Sequence, residues 1–305
     1  MARKTLEFDP RIPPGKRYRL LSCHDEYLSP ANYVSQQLHT IGEPFELMYD
    51  SGAFTAWSRG KEVVLDDLIA VYSEMLEKYE QGADAVWLIS LDKIPGSRGR
   101  TASPSEIDGA CAESDRNFEV LKKRFGERVL PVFHQNESTE RLHSVAAMSD
   151  YICVSPRNDL HEASRRKWAT EVHAKIPGKK THGLAATGYE MMSKVPWTSV
   201  DSATWALAGA NGNIFRDTRL RSLPISSESS ATKTGDQHYS TLPVKQQDAI
   251  KARVEALGFT VEALAVDPYD RMLFNRIMLT HAYREMPDPA TIAKTVPVEQ
   301  SLFEL

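Results

Sequence analysis

A regular alternation of short apolar segments with longer amphipathic ones is the feature that most constrains how this chain folds. Residues 85–91 form a nearly continuous apolar run of strand length, and residues 65–79 carry apolar side chains at helical spacing. Strands that are apolar on both faces are typical of a parallel sheet covered by helices. The predicted strands cover residues 17–23, 45–50, 85–91, 129–133, 151–154, 181–186, 195–201 and, in a more polar form, 214–225. The predicted helices cover residues 31–41, 65–79, 107–125, 139–148, 161–176, a short stretch ending at 192, 244–257 and 268–283.

Eight successive strand-helix units predict an α/β fold of the closed TIM (β/α)8 barrel type. The alternative is an open doubly wound sheet. No Gly-x-Gly-x-x-Gly follows the first predicted strand and no Walker-type Gly-Lys-Ser/Thr occurs, so the nucleotide-binding open-sheet families lose their main motif. We expect a single barrel domain over residues 1–225, a flexible polar loop over 226–242, and C-terminal helices over 243–305 that pack on the barrel.

Three carboxylates follow three of the predicted strands. Asp50, Asp92 and Asp201 each stand where an apolar run ends. A single Asp at such a place is most often a cap or a turn residue. In a parallel barrel, however, the loops after the strand ends carry the active groups, so these acids would converge there together with Gln135.

The charge of the chain sets limits on its partners. A net charge of -4 over 305 residues argues against a generally basic, DNA-coating surface, although local basic patches remain possible. Arg98 and Arg100 lie in a Gly-rich loop after Asp92, and Arg157 follows the fifth strand. We predict that these three arginines bind nucleic acid; the alternatives are a solvated loop and, for Arg157, an ordinary turn.

The cysteines and histidines offer no metal site. Cys23, Cys111 and Cys153 are far apart and lie in apolar segments, which predicts buried free thiols. No His, Cys, Asp and Glu spacing suits a metal, so we expect a reaction without metal or cofactor. The N-terminus has no signal-like apolar stretch, and no run of about eighteen apolar residues occurs. The expectation is a soluble, cytoplasmic protein with no membrane partner.

Five short motifs follow the predicted strands in a fixed order. They are Asp50-Ser51-Gly52-Ala53-Phe54, Ser90-Leu91-Asp92, Val132-Phe133-His134-Gln135, His182-Gly183-Leu184 and Val200-Asp201-Ser202. Their order and approximate spacing resemble those of the tRNA-guanine transglycosylase superfamily, and the resemblance is closest to its phage and bacterial DNA-acting branch, the 7-deazaguanine DNA transglycosylases and related proteins. The resemblance implies a TIM-barrel fold and exchange of a nucleobase at a glycosidic bond.

This resemblance implies roles position by position. Asp201 corresponds to the catalytic nucleophile, and Asp50 to the second aspartate, which acts as a general acid/base or in the base pocket. Asp92 and Gln135 correspond to the pair that reads the base edge. The other predicted substrate-binding residues are Ser51, Gly52, His182 and Gly183, the last at the wall of the base pocket.

Two histidines stand beside motif residues. Neighbouring residues of a strand face opposite sides, so one of His134 and Gln135 faces the interior; Gln135 is favoured, with His134 as a structural histidine. His182 is expected either to line the pocket or to cap its strand.

The sequence also departs from the family motifs. Ala53 and Thr55 replace the usual Gly and Gln of Asp-Ser-Gly-Gly-Phe-Gln, and Asn136 stands where a Gly normally follows the Gln. The zinc site of three Cys and one His is absent, since no Cys follows Cys153. By analogy, its absence favours DNA over tRNA as the substrate.

Chemistry independent of the family favours the same groups. Breaking an N-glycosidic bond places positive charge on C1′ and negative charge on the leaving base, so a carboxylate beside the sugar lowers the barrier. The acceptor is left open. A free 7-deazaguanine-type base makes the protein an exchanging enzyme, and water makes it a DNA glycosylase, for example in defence against phages with altered DNA. A catalytically dead nucleic-acid-binding barrel is disfavoured because all three acids are present. The expected partners are nucleic acid and, for an exchanger, a free nucleobase.

Overall fold

The computed structural model describes residues 9–96, 100–229 and 237–296, apart from the side chains of Asp25 and Glu26. Among these residues, the chain divides into two compact units. The first, here called the strand unit, holds residues 14–184, 197–199 and 296. The second, here called the C-terminal unit, holds residues 9–13, 185–196 and 200–295.

The strand unit is built on parallel strands in sequence order. Every pair of its strands with a defined register is parallel, and the two sheets have the orders β1-β2-β3-β4 and β5-β6-β7-β8. The strands are β1 Arg17–Ser22, β2 Phe45–Asp50, β3 Ala85–Ile89, β4 Val129–Leu130, β5 Val132–His134, β6 Tyr151–Ser155, β7 Lys180–Gly183 and β8 Ser199–Val200. The helices between them are α1 Asp25–Ile41, α2 Ala53–Ser58, α3 Leu65–Tyr79, α4 Pro104–Phe125, α5 Thr139–Met148 and α6 Glu162–Lys175. The predicted α/β class with parallel strands is therefore confirmed.

Pro131 divides one predicted strand into β4 and β5. A proline has no backbone N–H, so it cannot donate to a neighbouring strand. Its carbonyl still accepts the N–H of Cys153, at 2.8 Å. Because β4 pairs with β3 and β5 pairs with β6, the segment around Pro131 links the two sheets.

The strands of this unit bury a different apolar cluster on each face. On β2, Leu47 and Tyr49 pack in the cluster that also contains Tyr72 of α3, whereas Met48 packs in a second cluster. The second cluster, here called the inner cluster, consists of strand residues with Leu184 and contains no residue of a described helix. Its members are Leu20, Met48, Trp87, Ile89, Leu130, Val132, Tyr151, Cys153 and Leu184.

The C-terminal unit is mainly helical. Its elements are α7 Tyr189–Lys194, α8 Thr204–Ala210, β9 Asn213–Phe215, β10 Ser222–Pro224, α9 Val244–Ala256, α10 Val261–Val266, α11 Pro268–Arg284 and α12 Pro289–Ala293. Helix α11 forms the centre of the core, where Leu273 and Phe274 pack with Ile214 of β9. A Cβ on Gly209 would lie 2.6 Å from the backbone nitrogen of Met272, so α8 can approach α11 closely only with a glycine there.

The eighth strand predicted over residues 214–225 is wrong. This segment forms the antiparallel hairpin of β9 and β10, in which Phe215 pairs with Ser222. The polar residues between the two strands make the turn: the N–H of Arg219 donates to the Asp217 carboxylate, and Leu220 has a left-handed φ of 57°. The strand predicted over 195–201 is regular only at β8, because Pro196 interrupts it.

No helix in the described part of the chain is long and apolar enough to cross a bilayer.

Candidate active site at the strand ends

The turn after β2 holds the first predicted site residues. Asp50 is two residues from Met48 and therefore lies on the inner-cluster side of β2. Its Oδ2 accepts the N–H of Gly52 at 3.1 Å. Gly52 has a φ of 78°, and a Cβ there would lie 2.5 Å from the Cβ of His24. Ser51 beside it is buried. The sharp turn from β2 into α2 therefore requires glycine at this position.

The ends of β3 and β5 bring an acid and a histidine together. His134 Nε2 lies 2.8 Å from Asp92 Oδ2. Val132 packs in the inner cluster, and Phe133 stacks on Trp168 of α6. His134 therefore continues the inner side of β5. The predicted phase, with Gln135 inward, is wrong by one residue, whereas the structural role predicted for His134 stays a prediction.

The charges around His134 favour its protonated form. Burial lowers the pKa of His134, but the hydrogen bond and the charge of Asp92, with the charge of Glu137, outweigh burial and raise the pKa overall. Glu137 accepts the backbone N–H of His134 at 3.2 Å, and burial raises the pKa of Glu137.

Gln135 joins two loops instead. Its side-chain Oε1 accepts the backbone N–H of Arg157 at 2.9 Å. Its backbone N–H donates to the carbonyl of Ser155 at 3.2 Å. The Arg157 guanidinium is paired with Asp159 and lies 3.4 Å from Asn136 Oδ1. Gln135 and Arg157, predicted for base and nucleic-acid binding respectively, are thus brought into direct contact at the same strand ends.

His182 of β7 belongs to a polar chain on the inner side of the strands. Its Nδ1 lies 2.6 Å from Ser199 Oγ, which in turn lies 2.5 Å from the hydroxyl of Tyr151. Only 2% of His182 is exposed. These contacts place His182 on the inner side of the strands, and its two predicted roles, lining a base pocket or capping the strand, both stay predictions. Gly183 follows on the same strand, is buried and pairs with Val154.

Asp201 lies in the C-terminal unit, directly after β8. Its Oδ1 accepts the N–H of Ala185 at 3.1 Å, and its backbone carbonyl accepts the N–H of Ala186 at 2.9 Å. Ala185 has a φ of 52°, an uncommon value for a residue with a side chain. The half-buried carboxylate thus anchors a constrained turn that follows β7.

The loop after β3 carries two of the arginines predicted to bind nucleic acid. Arg98 lies outside the described residues. Arg100 is exposed, and its guanidinium pairs with Glu106 in the first turn of α4. The pair lowers the pKa of Glu106 to about 2, with help from Ser103 at the helix N-cap.

Within the described residues, the cysteines form no disulfide and the potential metal ligands form no metal-binding cluster. All three cysteines are free, as predicted; Cys23 and Cys153 are buried, whereas Cys111 is half-buried. Burial raises the pKa of Cys111 to about 12. Across residues 9–96, 100–229 and 237–296, no group of three or more His, Cys, Asp and Glu could hold a metal ion.

Reasoning from the sequence missed the partners of the predicted residues. His134 as the partner of Asp92, and Tyr151 and Ser199 as the partners of His182, emerge only from the fold. The period-two pattern of β5 places His134 on the same face as Val132, but the sequence alone does not show which face is inward.

Comparisons with known proteins add little at this distance. No protein-family model matches the chain, and no curated protein matches it. Among solved structures, it is similar to the carboxyl transferase domain from Rhizobium etli pyruvate carboxylase, at 11% identity and a TM-score of 0.33. The aligned region covers 82% of this chain but 37% of that one, so the chain spans well under half of that structure's length. A likeness of this size identifies neither a fold nor an activity.

Proposed function

We propose that this protein is an enzyme that cleaves the N-glycosidic bond of a nucleobase in nucleic acid, with DNA favoured over tRNA, and replaces the base with one of the 7-deazaguanine type. The observation that carries the proposal is the placement of Asp50, Asp92 and His134 at the carboxyl ends of β2, β3 and β5. Loops at this end of parallel strands are where α/β enzymes hold their reacting groups.

The finer architecture that we propose is a closed barrel of the TIM type, in which β4 and β5 follow each other without a helix between them. The inner cluster supports it, because one face of the parallel strands is buried by strand residues and Leu184, without a described helix. An open sheet would need helices to cover that face. The succession of strands in sequence order is also that of a barrel.

The proposed chemistry assigns one bond-breaking and one bond-forming role. A carboxylate oxygen of Asp201 attacks C1′ and forms a glycosyl ester, while the departing base takes a proton from an acid, which we assign to Asp50. An incoming base then loses a proton to Asp50 and attacks C1′, which releases Asp201 with net retention. The target nucleotide must be turned out of any duplex before these groups can reach C1′.

A second candidate is excision with water as the acceptor. It is favoured by the two departures from the family motifs, where a side chain replaces glycine. Ala53 is buried at the start of α2, and Asn136 follows Gln135 at the end of β5. Added side chains at these positions narrow or reshape a base pocket, and an exchanging enzyme needs a pocket that excludes water.

The test is to incubate the protein with modified and unmodified DNA, with and without free 7-deazaguanine bases. Abasic sites are detected by alkaline cleavage, and incorporated bases by mass analysis of nucleosides. Incorporation without abasic sites supports exchange, whereas abasic sites without added base support excision. Absence of both products on DNA and on tRNA contradicts the proposal. The Asp201→Asn variant serves as the inactive control.

A further inference from the structure

The proposed steps of bond breaking and bond formation do not use the ion pair of His134 and Asp92, and His134 itself has no role assigned so far. The two side chains are only 18% and 10% exposed, and Nε2 of the ring lies 2.8 Å from Oδ2 of the carboxylate. A pair this close and this little exposed, formed after the ends of β3 and β5, is a strong charge-assisted hydrogen bond.

We propose that His134 is the positioning residue for base recognition: by holding one oxygen of Asp92, it directs the other toward the edge of the base. This inference rests on the proposed function, because it takes Asp92 as a group that reads the base.

Both partners are held by their backbones. The N–H of His134 donates to Glu137, and His134 pairs with Ser155 in the register of β5 and β6. On the other side, α4 fixes the segment that carries Asp92. Asn117 Nδ2 donates to the carbonyl of Leu91 at 3.0 Å, and the N–H of Lys93 donates to Ser114 Oγ at 2.8 Å. The residues before and after Asp92 are thus anchored, so the ring and the carboxylate meet in a defined geometry.

The chemistry of a carboxylate explains what this positioning achieves. A carboxylate accepts hydrogen bonds and cannot donate them, so Asp92 favours a base edge that presents N–H groups. With Oδ2 held by His134, the remaining oxygen has one preferred direction. A base that leaves a buried acceptor unpaired is penalised, and the penalty is largest when the acceptor cannot rotate away.

The pair is sensitive to pH because of the groups that surround the ring. Asp92 on the loop after β3 and Glu137 on the loop after β5 favour the imidazolium, whereas Arg141 of α5 opposes it. Helix α4 contributes Cys111, which contacts Glu137, and Asp115, which pairs with Arg141. As the pH rises through the raised pKa of His134, the ring loses its charge, and its hydrogen bond to Asp92 becomes weaker.

The test compares three variants in the base-exchange or excision assay across pH. His134→Ala removes the hydrogen bond, and His134→Gln keeps an N–H near the position of Nε2 but cannot titrate. His143→Gln is the matched control, because His143 is an exposed histidine of α5. We expect His134→Ala to raise KM by about tenfold or more with a smaller change in kcat, as for the loss of a charged hydrogen bond in recognition. His134→Gln should rescue most of the KM and abolish its pH dependence above the ordinary imidazole pKa of 6.5.

A second measurement is independent of turnover. The nitrogen-15 shifts of the His134 ring, followed through a pH titration, should show a lower pKa in Asp92→Asn than in the wild type. An unchanged KM in a folded His134→Ala protein overturns the inference and leaves the proposed function standing. If His134→Ala does not fold, a pH profile of His134→Gln identical to that of the wild type overturns it. If the wild-type protein neither exchanges nor excises a base on DNA or tRNA, both the proposed function and this inference are overturned, whatever the titration shows.

Discussion

At the scale of single residues, the neighbours of each ring nitrogen decide how a buried histidine behaves. His173 is buried in α6, where its Nδ1 lies 2.7 Å from the carbonyl of Ala169 and its Nε2 lies 2.8 Å from Thr181 Oγ1. Burial lowers the pKa of His173 to about 4. His134 has a carboxylate partner instead, and its pKa is raised. The ring of His173 joins α6 to β7, whereas the ring of His134 contacts a carboxylate.

The low pKa of His173 predicts a loss of stability in acid. The unfolded chain takes up this proton below the ordinary value of 6.5, whereas the folded chain takes it up only near pH 4. The contribution of the neutral His173 ring to the stability of the fold is therefore fully present above pH 6.5 and is lost as the pH falls toward 4. We expect the free energy of unfolding to fall by up to about 3 kcal/mol across this window from His173 alone.

Denaturant unfolding at several pH values checks this expectation. His173→Gln should flatten the pH dependence, whereas His143→Gln, which changes an exposed histidine, should leave it unaltered. An equally steep loss of stability in His173→Gln would show that other groups cause it.

Asp201→Asn tests the proposed nucleophile without changing the local shape. The amide keeps an oxygen that can accept the N–H of Ala185, so the turn should remain folded. Losing the negative charge beside a cationic sugar should lower the rate by about 10³-fold or more. Single-turnover kinetics with a thermal unfolding control measure this. Near-normal turnover in a folded variant would be incompatible with the assignment.

At the scale of elements, the turn from β2 to α2 joins the site to the scaffold. Gly52 and Gly60 both have a left-handed φ, at 78° and 67°, but only Gly52 is crowded. Gly60→Ala should cost about 1 kcal/mol, because only the backbone conformation is disfavoured. Gly52→Ala should cost about 1–3 kcal/mol more, because its Cβ would meet His24.

Chemical denaturation of both variants measures the difference. Activity should also fall in Gly52→Ala, since the Gly52 N–H bonds Asp50, while Gly60→Ala should retain it. Equal stability of the two variants would mean that His24 moves aside at little cost.

At the scale of the whole molecule, the charge distribution limits how the proposed binding of nucleic acid could occur. The net charge is -4, so the proposed binding would have to come from local basic groups. Arg100 and Arg157 both pair with acidic residues, yet each arginine side chain is at least one-third exposed. A guanidinium can still contact a phosphate while it is paired with a carboxylate, since it has several donors.

We therefore expect Arg100→Ala and Arg157→Ala each to weaken binding of a DNA duplex and to reduce the slope of log K against log salt by about one. Fluorescence anisotropy at several salt concentrations provides the measurement. Lys251→Ala, at an exposed lysine of α9 paired with Glu255, is the control and should change neither quantity. Unchanged slopes in both arginine variants would remove these residues from the interface.

Local sequence patterns were sufficient for most of the elements. The helices predicted over 65–79 and 139–148 are confirmed residue for residue as α3 and α5, and the strand predicted over 45–50 is confirmed as β2. Their signal is periodic burial within a single segment, which a sequence displays directly. The position of Asp50 and Asp92 near strand ends follows from the same signal.

Only the tertiary structure decided which residues meet. The break at Pro131, the hairpin of β9 and β10, and the partnership of His134 with Asp92 each depend on pairing between distant segments. Strand β5 has only three residues, so its sequence does not distinguish the inward face from the outward face. A shift of one residue exchanges His134 with Gln135 as the inward residue. The local sequence thus determined where strands and helices form, while the packing of one strand against the next decided which side chains face each other at their ends.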